Sequence, residues 1–445
     1  MDELTTEKKT NWLAVVTMMF IYGMISFVTN LAAPMGNVWK YQPGIEGSNM
    51  LGMMGNMMNF LAYLFMGIPA GRMLAKRGYK STALIGIATG FVGVAIQYLS
   101  GKVSGTEASM IIPFSVYLLG AFVCGFSVCM LNIVVNPMLN LLGGGGNRGN
   151  QLNLIGGTFN SVAGTATPML VGALIGQVTP KTVVADVNLV MYIAMSVFAA
   201  AFFVLCFIPI QNPETGNTTE KIPVLAPLRF RHCLMGVIAI FMYVGIEIGI
   251  PATMNLWLAD AKGPLMTSTN ADVVKNAAAI AGMVAGTYWF LMLIGRSVGA
   301  FISGKVSSRI LMAFTTATAI ILIAVGTQVT DVMTKMYVFT GKGFALVQVP
   351  LTALLFALCG LCTSIMWPST FNLATERLGK YTAAASGLFM VMVVGGGVLP
   401  LIQNAIADHA GYMVSYGIPV FALAYMFVYS AFFSKPAANI DELVK

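Results

Sequence analysis

The sequence predicts an all-α membrane protein with twelve transmembrane helices in two six-helix halves. Three observations carry this prediction. The 445 residues are 57% hydrophobic and only 9% charged, which is more apolar surface than a water-soluble domain can bury. Apolar runs of roughly 20 residues, the length of helix that crosses a bilayer, recur along the whole chain. One long polar segment divides these runs into two sets of six.

The twelve runs define the elements in chain order. The predicted spans are residues 12–37, 50–72, 81–100, 110–142, 151–178, 187–210, 233–258, 277–303, 309–328, 345–374, 383–407 and 412–433. A transmembrane β-barrel would instead show segments of about ten residues with alternating hydrophobicity. The start, M-D-E-L-T-T-E-K-K, is short and charged, and it is typical of a cytosolic tail rather than a cleaved signal peptide.

The positive charges predict the orientation of the spans. If the N-terminus lies inside, the cytosolic segments carry 17 of the 24 lysines and arginines and the outer loops carry 7. This asymmetry predicts that both termini are cytosolic and that the protein is a multi-pass protein of the cytoplasmic (inner) membrane. The net charge of +8 then reflects topology, so we expect the lipid bilayer as a partner and no nucleic acid.

The polar segment at residues 211–232 is predicted to be a cytosolic linker between an N-terminal half, residues 1–210, and a C-terminal half, residues 233–445. Weak internal repetition supports a duplicated architecture of the kind that transporters show. The segments G-I-P-A-G-R-M-L-A-K-R-G-Y-K and I-G-R-S-V-G-A-F-I-S-G-K-V-S-S-R both place Gly-Arg before a basic turn. We therefore assign Arg72 and Arg296 to cytosolic gating loops.

Carboxylates are nearly absent from the predicted spans. Of the sixteen Asp and Glu residues, only Glu247 lies well inside one, and both histidines lie at span edges. The chain therefore offers no metal-ligand set, no Ser-His-Asp arrangement and no paired carboxylates for acid–base chemistry. These absences argue against an enzyme and predict no metal and no cofactor other than a possible coupling ion, H⁺ or Na⁺.

Amides replace carboxylates as the polar groups of the spans. Polar side chains inside a bilayer are costly, so they mark function by default. Amides both donate and accept hydrogen bonds, and a set of them beside an indole suits a neutral, polyhydroxylated ligand such as a sugar. An anionic ligand would require a buried Arg or Lys, and we place none in mid-membrane. The candidate substrate-binding residues are Asn30, Asn56, Asn132, Asn160, Asn255, Trp367, Asn372 and Gln403. A helix–helix hydrogen bond is the alternative for any one of them, and we expect it for Asn59 and Asn136.

Several stretches of the chain resemble the major facilitator superfamily, and more specifically its fucose permease and glucose/galactose transporter family of sugar–cation symporters. These stretches are I-P-A-G-R-M-L-A-K-R-G-Y-K (68–80), N-I-V-V-N-P-M-L (132–139), L-N-L-I-G-G-T-F-N-S (152–161), F-M-Y-V-G-I-E-I-G-I (241–250), L-M-L-I-G-R-S-V-G (291–299), S-I-M-W-P-S-T-F-N-L-A-T-E-R-L-G-K-Y-T (364–382) and G-L-F-M-V-M-V-V-G-G-G-V-L-P (387–400). The resemblance implies the major facilitator fold and sugar transport by alternating access.

Individual residues of this sequence match the family pattern to different degrees. Asn160 matches the family pattern, and Asn56 stands at a polar position where the family has Gln. Gly157 replaces another Gln. Asn30 and Asn132 stand where the family pattern has carboxylates that are associated with proton coupling and sugar binding. The resemblance therefore implies a sugar ligand but removes the proton-coupling carboxylates of the first half.

These observations leave the mode of transport open. The leading interpretation is a secondary active transporter of a neutral hexose or deoxyhexose, cation-coupled and functional as a monomer. Glu247 is the coupling candidate, because it could accept a proton, coordinate Na⁺ or hydrogen-bond the sugar. The alternatives are an uncoupled sugar facilitator and a carrier of an amino-sugar or cell-wall saccharide, for which Gly157 would provide additional room.

Overall fold

The structure is a computed structural model of helices joined by short connections. It describes residues 12–45, 47–103, 105, 109–142, 146–175, 184–208, 223–302, 306–340, 343–378 and 381–436. Within a bilayer the backbone must satisfy its own hydrogen bonds, and a helix does so entirely within one segment. The apolar runs of the sequence therefore become helices.

Six α-helices lie in the described part of the predicted first half. They are α1 (Trp12–Trp39), α2 (Asn49–Gly52), α3 (Met54–Ser100), α4 (Ile111–Leu142), α5 (Gly146–Ile175) and α6 (Asn188–Phe207). α3 contains the second and third predicted spans in one run, broken at Gly78, whose backbone has φ of 78°. Only glycine adopts this left-handed conformation without strain, so Gly78 turns the chain back across the membrane.

The predicted second half is more fragmented. Its helices are α7 (Arg231–Ala259), α8 (Ala271–Lys275), α9 (Ala277–Ile302), α10 (Ser308–Gly326), α11 (Leu351–Thr363), α12 (Met366–Thr375), α13 (Thr382–Met392), α14 (Gly395–Ala410), α15 (Tyr412–Ser415) and α16 (Gly417–Val428), the last followed by a π-helical turn at Tyr429–Phe433. The tenth, eleventh and twelfth predicted spans thus appear as broken helices. Gly395 to Gly397 follow the break between α13 and α14.

Ten helices among the described residues are long and apolar enough to cross a membrane. The predicted spans 50–72 and 151–178 fall outside these ten, yet residues 54–72 and 151–175 are helical in α3 and α5. Asparagines along these two segments lower their mean hydropathy. The all-α prediction for the membrane part is confirmed. The boundary predicted at residues 211–232 lies mostly outside the described residues, and the division into halves stays a prediction.

The prediction that a span begins at residue 345 is wrong. Residues 333–350 form a β-hairpin, in which β1 (Met333–Phe339) pairs antiparallel with β2 (Phe344–Pro350). The hairpin packs against α9, where the Phe339 backbone N–H donates to Thr287 Oγ1 at 3.2 Å. The Phe339 ring also stacks on Phe290 at 5.0 Å. A short apolar run next to a helix does not distinguish strand from helix, which explains the error.

Glycines bring helices of the two predicted halves into close contact. A Cβ atom at Gly286 would lie 2.7 Å from the Thr165 carbonyl oxygen, and one at Gly172 would lie 2.6 Å from that of Ala278. α5 and α9 therefore pack backbone against backbone, as small residues allow in membranes. A Cβ at Gly397 would lie 2.9 Å from Phe60 Cβ, so α14 approaches α3 in the same way.

Candidate functional site

A cavity lies between α1, α3 and α5 on one side and α7 and α9 on the other. It is lined by Thr29, Asn30, Pro34, Asn56, Pro168, Ile248, Pro251, Ala252, Asn255, Ala285 and Trp289. Three of the predicted substrate-binding amides thus meet in one place, Asn30 and Asn56 from the first predicted half and Asn255 from the second. Its free volume is about 20 Å³, which holds roughly one water molecule, so a sugar does not fit into the cavity in this conformation.

The amides of the central cavity are held by specific hydrogen bonds. Asn30 Nδ2 donates to the Ser26 carbonyl oxygen at 2.9 Å within α1. Asn56 Nδ2 donates across to the Gly396 carbonyl oxygen of α14 at 2.7 Å. Asn255 Oδ1 accepts from Asn37 Nδ2 of α1 at 2.7 Å. Two of these bonds cross between the predicted halves. Amides that could bind a ligand therefore connect the two predicted halves in this conformation.

Sequence reasoning missed two residues at this site, Asn37 and Trp289. Asn37 and Asn255 both stand two residues before a tryptophan, in N-V-W of α1 and N-L-W of α7. This repeated N-x-W pattern was the available signal for their pairing. Trp289 supplies the indole of the cavity, and it packs close to Gly164 of α5, where a Cβ would lie 3.1 Å from the ring. No spacing in the sequence distinguished it from the other tryptophans.

Other predicted residues lie outside the lining of this cavity. Asn132 Nδ2 donates to the Tyr63 hydroxyl at 2.7 Å, and Asn160 Nδ2 donates to the Tyr22 carbonyl oxygen at 3.2 Å. Gln403 is buried against Gly249, where a Cβ would lie 2.6 Å from Gln403 Oε1. Asn372 is exposed on α12.

The last predicted substrate-binding residue is Trp367, and Asn59 and Asn136 are the two asparagines expected to form helix–helix hydrogen bonds. Trp367 lies against Tyr243 of α7, with ring centroids 6.0 Å apart. Asn59 is buried and lines a smaller pocket inside the first half. The side chain of Asn136 lies outside the described part of the chain.

The assignment of Arg72 and Arg296 to loops is wrong. Arg72 is exposed within α3, and Arg296 lies within α9, six residues before its end. The Arg296 side chain is 20% exposed, so an arginine is partly buried close to the end of α9. A Gly-Arg pair before a basic turn does not reveal how far the helix continues, so the repeat placed both residues too close to the surface.

Arg296 forms a polar junction with both neighbouring helices. Its Nη1 donates to the Gly157 carbonyl oxygen at 3.0 Å and to Ser161 Oγ at 2.9 Å, both on α5. Its Nη2 lies 3.5 Å from Glu247 Oε1 on α7. The coupling candidate Glu247 therefore has a cationic partner. Because the pair is neutral overall, the expectation of a neutral ligand is unaffected.

A second polar cluster joins the ends of α1 and α7, and we call Lys40, Asn49, Asp260 and Tyr412 the clamp. Lys40 is buried and forms an ion pair with Asp260. Lys40 Nζ also donates to Asn49 Oδ1 at 2.6 Å, and the Tyr412 hydroxyl donates to Asp260 Oδ2 at 2.8 Å. The clamp thus joins residues of the two predicted halves at this end of the molecule.

Asp408 of α14 adds to the closure at the same end. It accepts hydrogen bonds from the backbone N–H groups of Asn49 at 2.6 Å and Met50 at 2.9 Å, and from Ser48 Oγ at 2.9 Å. The charge asymmetry of the sequence predicts that this end faces outward. In the described part of the chain, no group of three or more His, Cys, Asp or Glu residues could hold a metal ion.

The sequence of this chain is similar to those of known transport proteins. A glucose/galactose transporter of Brucella abortus (biovar 1, strain 9-941) is 27% identical over 383 residues, which are 84% of each chain. The L-fucose-proton symporter of Escherichia coli (strain K12) is 23% identical over 408 residues, covering 85% of this chain and 84% of the symporter.

Structural comparison agrees on the fold. FucP in its outward conformation matches with a TM-score of 0.64 and 18% identity over 95% of this chain and 99% of FucP. A D-xylose-proton symporter matches with a TM-score of 0.66 and 13% identity over 95% of this chain and 98% of that chain. The sequence profile of the Major Facilitator Superfamily matches residues 13–356. The resemblance predicted from the sequence is therefore confirmed, and the chain belongs to the Major Facilitator Superfamily.

Proposed function

We propose that this protein carries a neutral hexose or deoxyhexose across the cytoplasmic membrane by alternating access, coupled to a cation. The observation that carries the proposal is the central cavity, where Asn30 and Asn56 face Asn255 and Trp289 across the two predicted halves. Amides match sugar hydroxyls because both donate and accept hydrogen bonds. An indole offers a flat apolar face against which the C–H surface of a sugar ring can pack.

The hydrogen bonds between the two sides of the cavity fit a carrier better than a channel or a fixed receptor. Two cavity amides are bonded across the halves, Asn56 to Gly396 and Asn255 to Asn37. A sugar that enters would replace these bonds as the halves separate. Binding energy and conformational change are then linked, which is the requirement for alternating access around a site near the midplane. Transport of this kind requires no chemical step, so we infer a carrier rather than an enzyme.

The relatives support a sugar as the ligand. Their names specify glucose/galactose transport in one case and L-fucose–proton symport in another. Because Asn30 and Asn132 replace the family's carboxylates, the proposal commits to the class of neutral sugars and not to fucose. Amino-sugars and cell-wall saccharides are the competing ligands.

Uptake by whole cells that lack their own hexose carriers tests this proposal. Labelled glucose, galactose, fucose and N-acetylglucosamine are offered to cells that express the protein. We expect a simple hexose to be taken up and to be competed by its unlabelled form. Asn255→Ala should raise the apparent KM roughly 3- to 10-fold, because one hydrogen bond contributes about 0.5–1.5 kcal/mol.

A matched control separates a binding effect from a general loss of protein. Asn276→Ala removes an exposed asparagine whose amide caps its own helix end at Asp272, and it should leave KM unchanged. Uptake of N-acetylglucosamine alone would replace the simple-hexose proposal by the amino-sugar alternative. A failure of every hexose to enter or compete would overturn the proposal.

A further inference from the structure

Arg296 joins three helices through one charged group. It belongs to α9, donates to Gly157 and Ser161 of α5, and lies beside Glu247 of α7. α5 comes from the first predicted half, and α7 and α9 come from the second. A change at Glu247 therefore reaches the contact between the halves through a single side chain.

The backbone of α5 is shaped to receive the guanidinium group. Gly157 has no side chain, and a Cβ atom there would lie 3.6 Å from Arg296 Nη1. That separation is an ordinary van der Waals contact, and the Gly157 carbonyl oxygen accepts a hydrogen bond from the same nitrogen. One helical turn further along, Ser161 is fully buried and presents its hydroxyl to the same nitrogen. The site thus holds the arginine at defined acceptors and does not merely leave room for it.

The charges around Glu247 favour a proton over a metal cation. The titratable and charged groups that face Glu247 are Tyr243 on its own helix and Arg296 and Tyr288 on α9, while α5 offers only the neutral acceptors of Gly157 and Ser161. A metal cation would need several oxygen ligands at once and would lie beside a guanidinium that repels it. A proton needs one carboxylate oxygen and removes the charge of that carboxylate.

We propose that Glu247 carries the coupling proton and that Arg296 is the positioning residue that transmits its protonation to the contact between α5 and α9. With Glu247 ionised, Arg296 has its counter-ion and is held against α5. When a proton from water on one side of the membrane neutralises Glu247, Arg296 loses its counter-ion. A buried, unpaired cation is strongly unfavourable, so Arg296 must leave α5 or find other acceptors. The proton later leaves to water on the opposite side, and the pair forms again.

This inference rests on the proposed sugar transport and adds the identity of the coupling ion and its site. The chain supports it independently of the central cavity. Asn30 and Asn132 are amides and do not titrate, so the first half offers no carboxylate at those two positions. Glu247 is the titratable carboxylate of the described membrane helices that has a cationic partner reaching across the halves.

Purified protein in proteoliposomes tests the inference with the hexose that gives the strongest uptake. An inward proton gradient should drive accumulation above equilibrium, and an inward Na⁺ gradient at equal pH on both sides should not. Counterflow at equal pH should decline toward high pH for the wild-type protein. Glu247→Gln should lose gradient-driven accumulation, retain measurable counterflow, and show counterflow that no longer depends on pH.

Two further variants keep the test decisive. Glu376→Gln changes a carboxylate that also pairs with an arginine, Arg309, but with a side chain that is 40% exposed, and it should accumulate sugar as the wild-type protein does. Arg296→Lys keeps the charge but cannot contact both α5 acceptors and Glu247 together. It should move the pH of half-maximal counterflow upward, because Glu247 then has a weaker counter-ion.

The outcomes separate this inference from the proposed function. Undiminished proton-driven accumulation by Glu247→Gln, or accumulation driven by Na⁺, would overturn the proton site while sugar transport stands. Unaltered pH dependence in Arg296→Lys would overturn the role of Arg296. If the wild-type protein shows no counterflow of any hexose, the proposed function and this inference both fail.

Discussion

The clamp and the Arg296 junction are two polar clusters that join the predicted halves, but they are built differently. In the clamp, a fully buried lysine is surrounded by acceptors, and Asp260 is shared between Lys40 and Tyr412. At the junction, the ion pair is longer, at 3.5 Å, and both side chains keep some exposure, 20% for Arg296 and 15% for Glu247. The remaining contacts of Arg296 go to neutral acceptors on α5.

This difference in structure predicts different roles for the clamp and the junction. A buried lysine with several short contacts is stable as a unit, and removing one partner leaves a charge without compensation. Glu247 in the longer, partly exposed pair can take up a proton from water, and the contact of Arg296 with α5 then changes. We therefore assign the clamp to the stability of the closed conformation and the junction to the response to protons. The predictions below test that assignment.

The largest effect is expected from Lys40→Ala in the clamp. The substitution leaves the Asp260 carboxylate, which is 17% exposed, without its cation, and the loss should destabilise the closed conformation by about 3–5 kcal/mol. Hydrogen exchange of peptides covering residues 36–45 and 255–263 should become faster.

Lys102→Ala is the matched control, because Lys102 is exposed and lies over the Tyr98 ring in the first half. It should leave the exchange of both peptides unchanged. Unchanged exchange in Lys40→Ala as well would mean that the clamp does not hold the closed state.

A smaller effect is expected from Asp408→Asn. Asp408 is exposed and accepts from Asn49, Met50 and Ser48, so its loss resembles the loss of a helix cap at about 1 kcal/mol. Exchange should become faster in residues 47–53 and stay unchanged at residues 255–263. Asp331→Asn, an exposed carboxylate beside Thr330, is the control. An effect of Asp408→Asn equal to that of Lys40→Ala would contradict the ranking.

A similarly modest effect is expected at the junction from Ser161→Ala. Arg296 loses one acceptor but keeps the Gly157 carbonyl oxygen at 3.0 Å, which corresponds to about 0.5–1.5 kcal/mol. The pH of half-maximal counterflow should shift, while exchange at the clamp stays the same. Ser297→Ala removes an exposed hydroxyl that bonds within α9 and should shift nothing. A clamp response to Ser161→Ala would show that the two clusters are one unit.

The smallest effect is expected from pH acting on the clamp. Asp260 lies just beyond α7. Burial alone would raise its pKa, but Lys40, with Lys262 and Tyr412, holds the pKa below its ordinary value of 3.8. A lowered carboxyl pKa stabilises the closed conformation above the ordinary pKa, and this stabilisation is lost as pH falls through the lowered pKa. Clamp exchange, corrected for intrinsic rates, should therefore stay constant between about pH 5 and 8. A change of stability within that interval would contradict this account of Asp260.

The sequence predicted the membrane helices and part of the site because those features depend on local composition. Apolar length defines a span, and Asn30, Asn56 and Asn255 were recognisable because amides are rare inside spans. The clamp was not predictable, since Lys40 and Asp260 are 220 residues apart and each looks like an ordinary loop charge. Their meeting depends on how α1 and α7 pack across the halves.

Arg296 shows a different limit of sequence reasoning. Arg72 and Arg296 both follow a glycine and precede a basic turn, yet Arg72 is exposed and Arg296 is mostly buried. Arg296 is held by two acceptors on α5, the Gly157 carbonyl oxygen and the Ser161 hydroxyl one turn along. Such complementarity involves helices far apart in the chain, and no single-sequence spacing encodes it. The β-hairpin at residues 333–350 was missed for a simpler reason, because a short apolar run fits either secondary structure.

Counterflow of labelled hexose by the purified protein in proteoliposomes, at equal pH on both sides, tests the central claim most directly. Vesicles loaded with unlabelled sugar should take up the labelled sugar transiently above its equilibrium level. Asn255→Ala should weaken this exchange at low sugar concentration, and Asn276→Ala should not. The absence of an overshoot for glucose, galactose, fucose and N-acetylglucosamine alike would contradict the account of this protein as a sugar carrier.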